Sequence, residues 1–346
     1  MNRAAHVLLC VFLLAVCGGP VLQPRPAAGA GALTKLRVGL VVSASDAGFF
    51  IANDKGYFKD QGIEIEIVRF DSAARMVAFL GTGQLDLGGG AISAGLFNAM
   101  ARDIPLKIVA DKGNLDPGHG FEALMVRKEL WDKGTIKSVA DLRGKTVALS
   151  SLDITPEVDL DTNLRKVGMT IKDVHLVTMS FPDMSAALTN GSIDAAQPIE
   201  PFVTLIADRG AGVVLTRNDR VVPGQQVAVV FYAPKFTYNP GLARKFMLAY
   251  LRGVRYYNDA FVKKDPAAKQ EVVQILTRNT PVKDPALYDR MVMPGINPNG
   301  LVNLDSLNTL QNWFLNKGSQ KEKVNLAKAV DRQYVDWAVQ QLGTYK

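Results

Sequence analysis

The residues of this chain that could do chemistry are mostly acids, and two of them stand in matching surroundings. Asp86 closes the run Leu80-Gly-Thr-Gly-Gln-Leu-Asp86 before Leu-Gly-Gly, and Asp194 closes Leu188-Thr-Asn-Gly-Ser-Ile-Asp194 before Ala-Ala-Gln. Two carboxylates can divide general acid and base work between them. Here each sits where a helical pattern gives way to a short strand, a place where a short acidic side chain caps backbone N–H groups. The repeat therefore reads as structural, and it implies two α/β lobes built on one plan with a ligand cleft between them. Asp159-Leu-Asp-Thr-Asn163 resembles the start of a calcium loop but has Leu164 where Gly is needed and Thr170 where Glu is needed. His119 and His175 lack zinc-ligand spacing, and no Gly-x-Ser-x-Gly elbow occurs. The reading calls for no cofactor, no metal and no catalytic residue. The sharpest local feature is Gly88-Gly-Gly-Ala-Ile92, where missing Cβ atoms let a ligand approach the backbone. It is not a phosphate loop, because no Lys-Ser/Thr follows.

The elements that must position these residues alternate. Leu36–Val42 reads as a buried strand and Ile63–Val68 as a half-buried one with period two. Helical patterns cover Phe49–Asn53, Ser72–Leu80 and Ala91–Ala101, with short strands at Leu85–Leu87 and Leu106–Ala110. Residues 111–120 read as a glycine-rich loop before a crossing strand, Phe121–Val126. A second series follows, with strands ending at Leu149, Val177, Ala195 and Leu215 and helices opening at Thr155, Ser180 and Phe202. Val227–Tyr232 reads as a strand returning to the first lobe, and the rest as helices at 241–262, 267–277, 304–316 and 324–341. This rhythm predicts an α/β fold with largely parallel sheets. Two crossings between lobes make a hinge that can close on a ligand.

Composition narrows the function classes. At 48% hydrophobic and 21% charged, the chain of 346 residues can build cores for about two domains. The net charge of +7 is scattered and not interleaved with aromatics, so no nucleic-acid role is read from it. Met1-Asn-Arg3, the apolar run Val7–Val16 and the small residues to Ala30 read as a secretory signal peptide over 1–30. Both cysteines, Cys10 and Cys17, lie inside it. Leu14-Ala-Val-Cys17 resembles a lipobox, but Val16 departs from the small residue expected there, so free export is placed ahead of a lipid anchor at Cys17.

The run Ile51-Ala-Asn-Asp-Lys-Gly-Tyr-Phe-Lys-Asp-Gln-Gly-Ile-Glu-Ile-Glu66 resembles the signature of extracellular solute-binding proteins of bacterial ABC importers. The subgroup is the one that takes sulfonates, taurine, nitrate, or thiamine and riboflavin precursors. Gly83-Gln-Leu-Asp-Leu-Gly88, Gly191-Ser-Ile-Asp-Ala-Ala196, Val139-Ala-Asp-Leu-Arg-Gly-Lys145 and Glu200-Pro201 are similar to the same family, over about half the chain. The resemblance implies a two-lobed periplasmic-binding-protein fold with two interlobe crossings (type II) and a helical C-terminal part. Lobe 1 would comprise 33–120 plus 228–346, and lobe 2 would comprise 121–227. It implies a monomeric periplasmic protein that is not an enzyme and hands a small organic molecule (a sulfonate, carboxylate or heterocyclic precursor) to an inner-membrane ABC permease. Two alternatives stay open, a thiamine-pyrimidine-synthase-like enzyme and a ligand-sensing subunit of a signalling system.

Parallel sheets bind ligands beyond the carboxyl ends of their strands. That rule selects Ser43 and Asp46 with Phe49 behind them, Phe70, Asp71 and Ser72, then Gly89, Gly90, Ala91 and Ile92, with Asn114 from the crossing loop. In the second lobe it selects Ser150, Ser151, Asp153, Phe181, Pro198 and Glu200. Helix N-termini at Ala91 and Thr155 would favour an anion. Asp46, Asp71, Asp153 and Glu200 would oppose one, Arg69 and Arg75 could offset them, and Phe49, Phe70 and Phe181 could sandwich a flat body.

Overall fold

The computed structural model describes residues 32–346 other than Asp103. The signal-peptide and lipobox readings fall on residues 1–31 and lie outside the described residues.

Two five-stranded sheets form the frame. The first uses β1 (Thr34–Leu40), β2 (Ile63–Arg69), β3 (Leu87–Ala91), β4 (Lys107–Asn114) and a returning strand, Gln226–Tyr232. The second uses β5 (Ala123–Arg127), β6 (Thr146–Leu149), β7 (His175–Thr178), β8 (Ala195–Ala196) and β9 (Gly212–Arg217). With the returning strand as β10, the orders are β2-β1-β3-β10-β4 and β7-β6-β8-β5-β9. In both, four strands run in one direction and the fourth in the order, β10 or β5, is antiparallel to its two neighbours. The sheets are thus mixed, and each repeats the plan of the other.

The matched acids fasten this plan. Asp86 accepts the Arg37 N–H at 2.8 Å and donates its own to the Arg37 carbonyl at 3.0 Å. Asp194 accepts the Thr146 N–H at 3.0 Å and donates to the Thr146 carbonyl at 2.9 Å. Each carboxylate therefore satisfies a backbone group on the neighbouring parallel strand. The carbonyls of Asp86 and Asp194 then accept Ala233 N–H and Arg127 N–H, at the ends of β10 and β5.

Several boundaries differ from the sequence reading. The triple glycine lies inside β3, where β10 supplies the ladder and the Phe231 ring fills the space beside Gly88. The helix after it starts at Ala94, with the Ser93 hydroxyl accepting the Leu96 N–H at 3.1 Å. β4 continues through the supposed loop to Asn114 because β10 pairs with it along its length. The last helical pattern is split into Leu326–Ala329 and Gln333–Leu342.

The segments 115–122 and 218–225 join the sheets side by side, tied by Leu115 N–H to the Gln225 carbonyl and Asn218 N–H to the Glu122 carbonyl. Both ends of this double crossing hold buried polar groups. At the first sheet, Asp111 accepts from Asn114, Gln226 and the N–H of Gly113 and Asn297. At the second, Glu122 and Asp159 share Asn218 as a donor, with Gln197 and Gln225 completing the network.

Candidate functional site

The chain after β1 folds back at once. Ser43, buried, caps a short turn, with its N–H on Asp46 Oδ2 at 2.8 Å and its hydroxyl 3.0 Å from that of Ser45. This aims the other Asp46 oxygen at Lys112 Nζ, 2.8 Å away. Lys112 also donates to Ser45 Oγ at 2.7 Å. Both ions are buried, with side-chain exposures of 1% and 0%. A buried pair of this kind survives only with added hydrogen bonds, which Ser43 and Ser45 supply. The triple glycine makes the space: a Cβ at Gly89 would lie 2.8 Å from the Lys112 stem, and one at Gly90 only 2.4 Å from the Ala73 methyl.

Lys112, Ser43, Ser45, Asp71, Ser72, Gly90 and Ala91 form one wall of an interlobe cavity of about 30 Å³. Phe121, Ser150, Pro156, Phe181 and Ile199 form the other, with Val227 and Ala228 from β10. Beside it, a space of about 200 Å³ shares Val41, Asp71 and Phe181 and adds Arg69, Phe70, Phe202 and Pro281. The Phe181 and Phe202 rings stack there at 5.4 Å. Polar hydroxyls and one ion pair face an apolar, aromatic wall, an arrangement that orients a small molecule by its polar end.

Of the residues selected by sequence, Ser43, Asp71, Ser72, Gly90, Ala91, Ser150 and Phe181 line this cavity, and Phe70 lines the space beside it. The rest are occupied elsewhere. Asp46 lies behind Lys112, and Gly89 lies under the lysine stem. Phe49 packs in the core 4.7 Å from Tyr250. The backbone of Ile92 bonds Val227 and Thr155, and Asn114 bonds Asp111. Ser151 turns to the Leu152 carbonyl, and the Pro198 carbonyl accepts Ala123 N–H. Asp153 pairs with Lys317. Glu200 is spent on Thr204, Arg217 and the Val292 N–H; burial pushes its carboxyl up despite those donors. The expected anion sites at helix starts are also taken: Ala94 N–H goes to the Asp153 carbonyl and Thr155 N–H to that of Ile92. Sequence reasoning missed Lys112, because Asp-Lys-Gly-Asn reads as turn chemistry. Its one usable signal was the unbroken apolar run Ile108-Val-Ala110 leading into it.

A family model described as "NMT1/THI5 like" matches residues 43–260. The taurine-binding periplasmic protein of Escherichia coli is 29% identical over 168 residues, 49% of this chain and 48% of that protein. A putative thiamine biosynthesis protein of Haemophilus influenzae is 31% identical over 44% of this chain and 46% of its own. The chain thus spans about half the length of these curated relatives. Among solved structures, the nitrate-binding protein of Synechocystis superposes with a TM-score of 0.75 at 15% identity, covering 90% of this chain and 89% of that one. The alkanesulfonate-binding protein of Xanthomonas axonopodis bound to MOPS gives 0.68 at 18%, covering 86% and 98%. These superpositions place the chain in the periplasmic-binding-protein fold, and the matched model makes it a member of the NMT1/THI5-like family.

Proposed function

We propose that the chain is the solute-binding subunit of a bacterial ABC importer, exported to the periplasm, which captures a small organic molecule between its lobes and presents it to a permease as a monomer. The observation that carries this reading is the cavity itself, walled by both sheets and hinged by the paired segments 115–122 and 218–225. The relatives named for taurine and alkanesulfonate binding agree with it. The polar end of the ligand would meet Lys112 and the hydroxyls of Ser43, Ser72 and Ser150, and its body Phe121, Phe181 and Phe202. A sulfonate, carboxylate or heterocyclic precursor fits that division. His119 bonds the Met293 carbonyl and His175 starts the edge strand β7, so neither lines the cavity, which favours binding over chemistry.

Thermal unfolding against taurine, ethanesulfonate, MOPS, acetate, nitrate and hydroxymethylpyrimidine tests the reading. One compound at a hundred times its dissociation constant should add about 2.7 kcal/mol of stability. A panel without any shift would count against nutrient capture.

A further inference from the structure

We propose that Lys317 is the latch of the closed lobes and a positioning residue for the cavity-lining turn at Ser150. It stands at the end of the helix Leu304–Lys317, which packs Leu307, Leu310 and Phe314 into the core under the first sheet. The helix Thr155–Arg165 packs Leu160 and Leu164 against the second sheet, yet sends Val158 into the first core. The two helices meet through residues one turn apart on each. Trp313 Nε1 donates to Asp161 Oδ2 at 2.8 Å, and Lys317 Nζ reaches Glu157 Oε1 at 2.5 Å and Asp153 Oδ1 at 2.8 Å.

The acids differ in what they would keep if the lobes parted. Asp161 retains Arg165 and the Ile171 N–H, both on its own lobe. Glu157, whose side chain is 1% exposed, retains only the Asp153 N–H among the described residues. Among the described residues, Lys317 is the cation that Asp153 and Glu157 share. Burial pushes the Glu157 carboxyl up, and the lysine works against that. Parting the two helices would break this pair and leave Glu157 a single donor, so separation is opposed at this point.

Asp153 concentrates the effect. It holds φ +58°, a left-handed conformation that Asp adopts more readily than most residues with a side chain, and three contacts hold it there. Its carbonyl accepts Ala94 N–H from the other lobe, its carboxylate meets Lys317 from the other lobe, and its N–H meets Glu157. Ser150 lies three residues earlier in the same turn and lines the cavity. Latch and ligand wall are one piece of chain, so closing the latch sets the Ser150 hydroxyl.

This inference rests on closure of the lobes but not on any ligand, so amide hydrogen exchange of the unliganded full chain tests it separately from the importer reading. The reporters are Ala94 and Thr155 N–H, which bond across the lobes. In Lys317→Met, which removes the charge but keeps an unbranched apolar side chain, their exchange should accelerate at least ten-fold while β1 and β6 amides stay protected. Asp153→Asn should do the same, adding it to Lys317→Met should change little more, and Lys317→Arg should restore slow exchange. Equal protection in wild type and Lys317→Met, or a wild type that does not protect these two amides, would overturn the proposal. Loss of β1 and β6 protection as well would assign Lys317 a role in folding instead and would also overturn it.

Discussion

β3 and β8 occupy the same place in their sheets, and Asp86 and Asp194 fasten them in the same way, but the chain leaves the two strands into different surroundings. Beyond β3 lie bare glycine backbone and a wall carrying Lys112, backed by Asp46, and three serines. Beyond β8 lies Gln197, whose amide is tied to Glu122 and the Pro156 carbonyl, and then Glu200, tied to Thr204 and Arg217. The second lobe therefore spends most of its polar groups on holding itself together and offers the cavity rings and aliphatics with the single hydroxyl of Ser150. The repeated part of the motif builds the sheets, and the part that is not repeated decides what the cavity can hold.

The sharpest break of this contrast is Lys112→Met. It strands a buried Asp46 carboxylate and should cost about 3–5 kcal/mol in urea unfolding, the loss seen when one partner of a buried pair is removed. Lys112→Met combined with Asp46→Asn should recover most of it, because no charge is then left alone. A single variant within about 1 kcal/mol of wild type would mean the pair is hydrated and the charged wall is not a wall.

The two ends of the hinge can be compared by pH. Burial pushes Asp111 to about 6, at the first sheet, and Asp159 to about 8, at the second. Glu122 is pushed well up by burial and then by Asp159 beside it. For each, the folded form binds the proton more tightly than the unfolded chain, so the unfolded state holds fewer protons at pH values between the two pKa values. Stability then falls as pH rises. The contribution is fully present below pH ~4, is lost between ~4 and ~6 for Asp111, and continues to fall towards ~8 for the Glu122–Asp159 pair. Asp111→Asn should flatten the lower window by roughly 3 kcal/mol, about two pKa units, and Asp159→Asn should flatten the upper one. Urea midpoints from pH 4.5 to 8.5 that do not decline would contradict both assignments.

The sheets were legible in the sequence where period and composition are local properties. Ile63–Arg69 alternates, Val227–Tyr232 is apolar throughout, and Ser180 with Asp183 announces the helix Phe181–Asn190. The site was legible only in outline. The strand-end rule selected Ser43, Ser72, Ser150 and Phe181, which line the cavity and whose place is set by chain direction, but not Ser45. It could not find Lys112, whose burial is created by Asp46, 66 residues earlier, nor foresee that Glu200 and Asp153 would be consumed by Arg217 and Lys317. The triple glycine misled for a related reason. Glycine disfavours strands in isolation, and here Phe231 of β10 fills the space beside Gly88 while Phe49, Lys112 and Ala73 close on Gly89 and Gly90.

The matched acids give the smallest and most symmetrical comparison. Asp86→Asn and Asp194→Asn each keep an oxygen for the neighbouring backbone N–H and lose its charge, which should cost about 1 kcal/mol apiece. Asp194 also sits 3.1 Å from Arg127, with both side chains largely buried, so its variant should lose more, by about 0.5–1 kcal/mol. Neither acid touches the cavity, so the thermal shift produced by the ligand should be the same size in both variants as in wild type. The two quantities are measured in one titration of unfolding temperature against ligand. If Asp86→Asn erased the ligand shift while leaving the unliganded midpoint near wild type, the acids would belong to the binding chemistry after all. The repeated motif would then be more than a fastening between parallel strands.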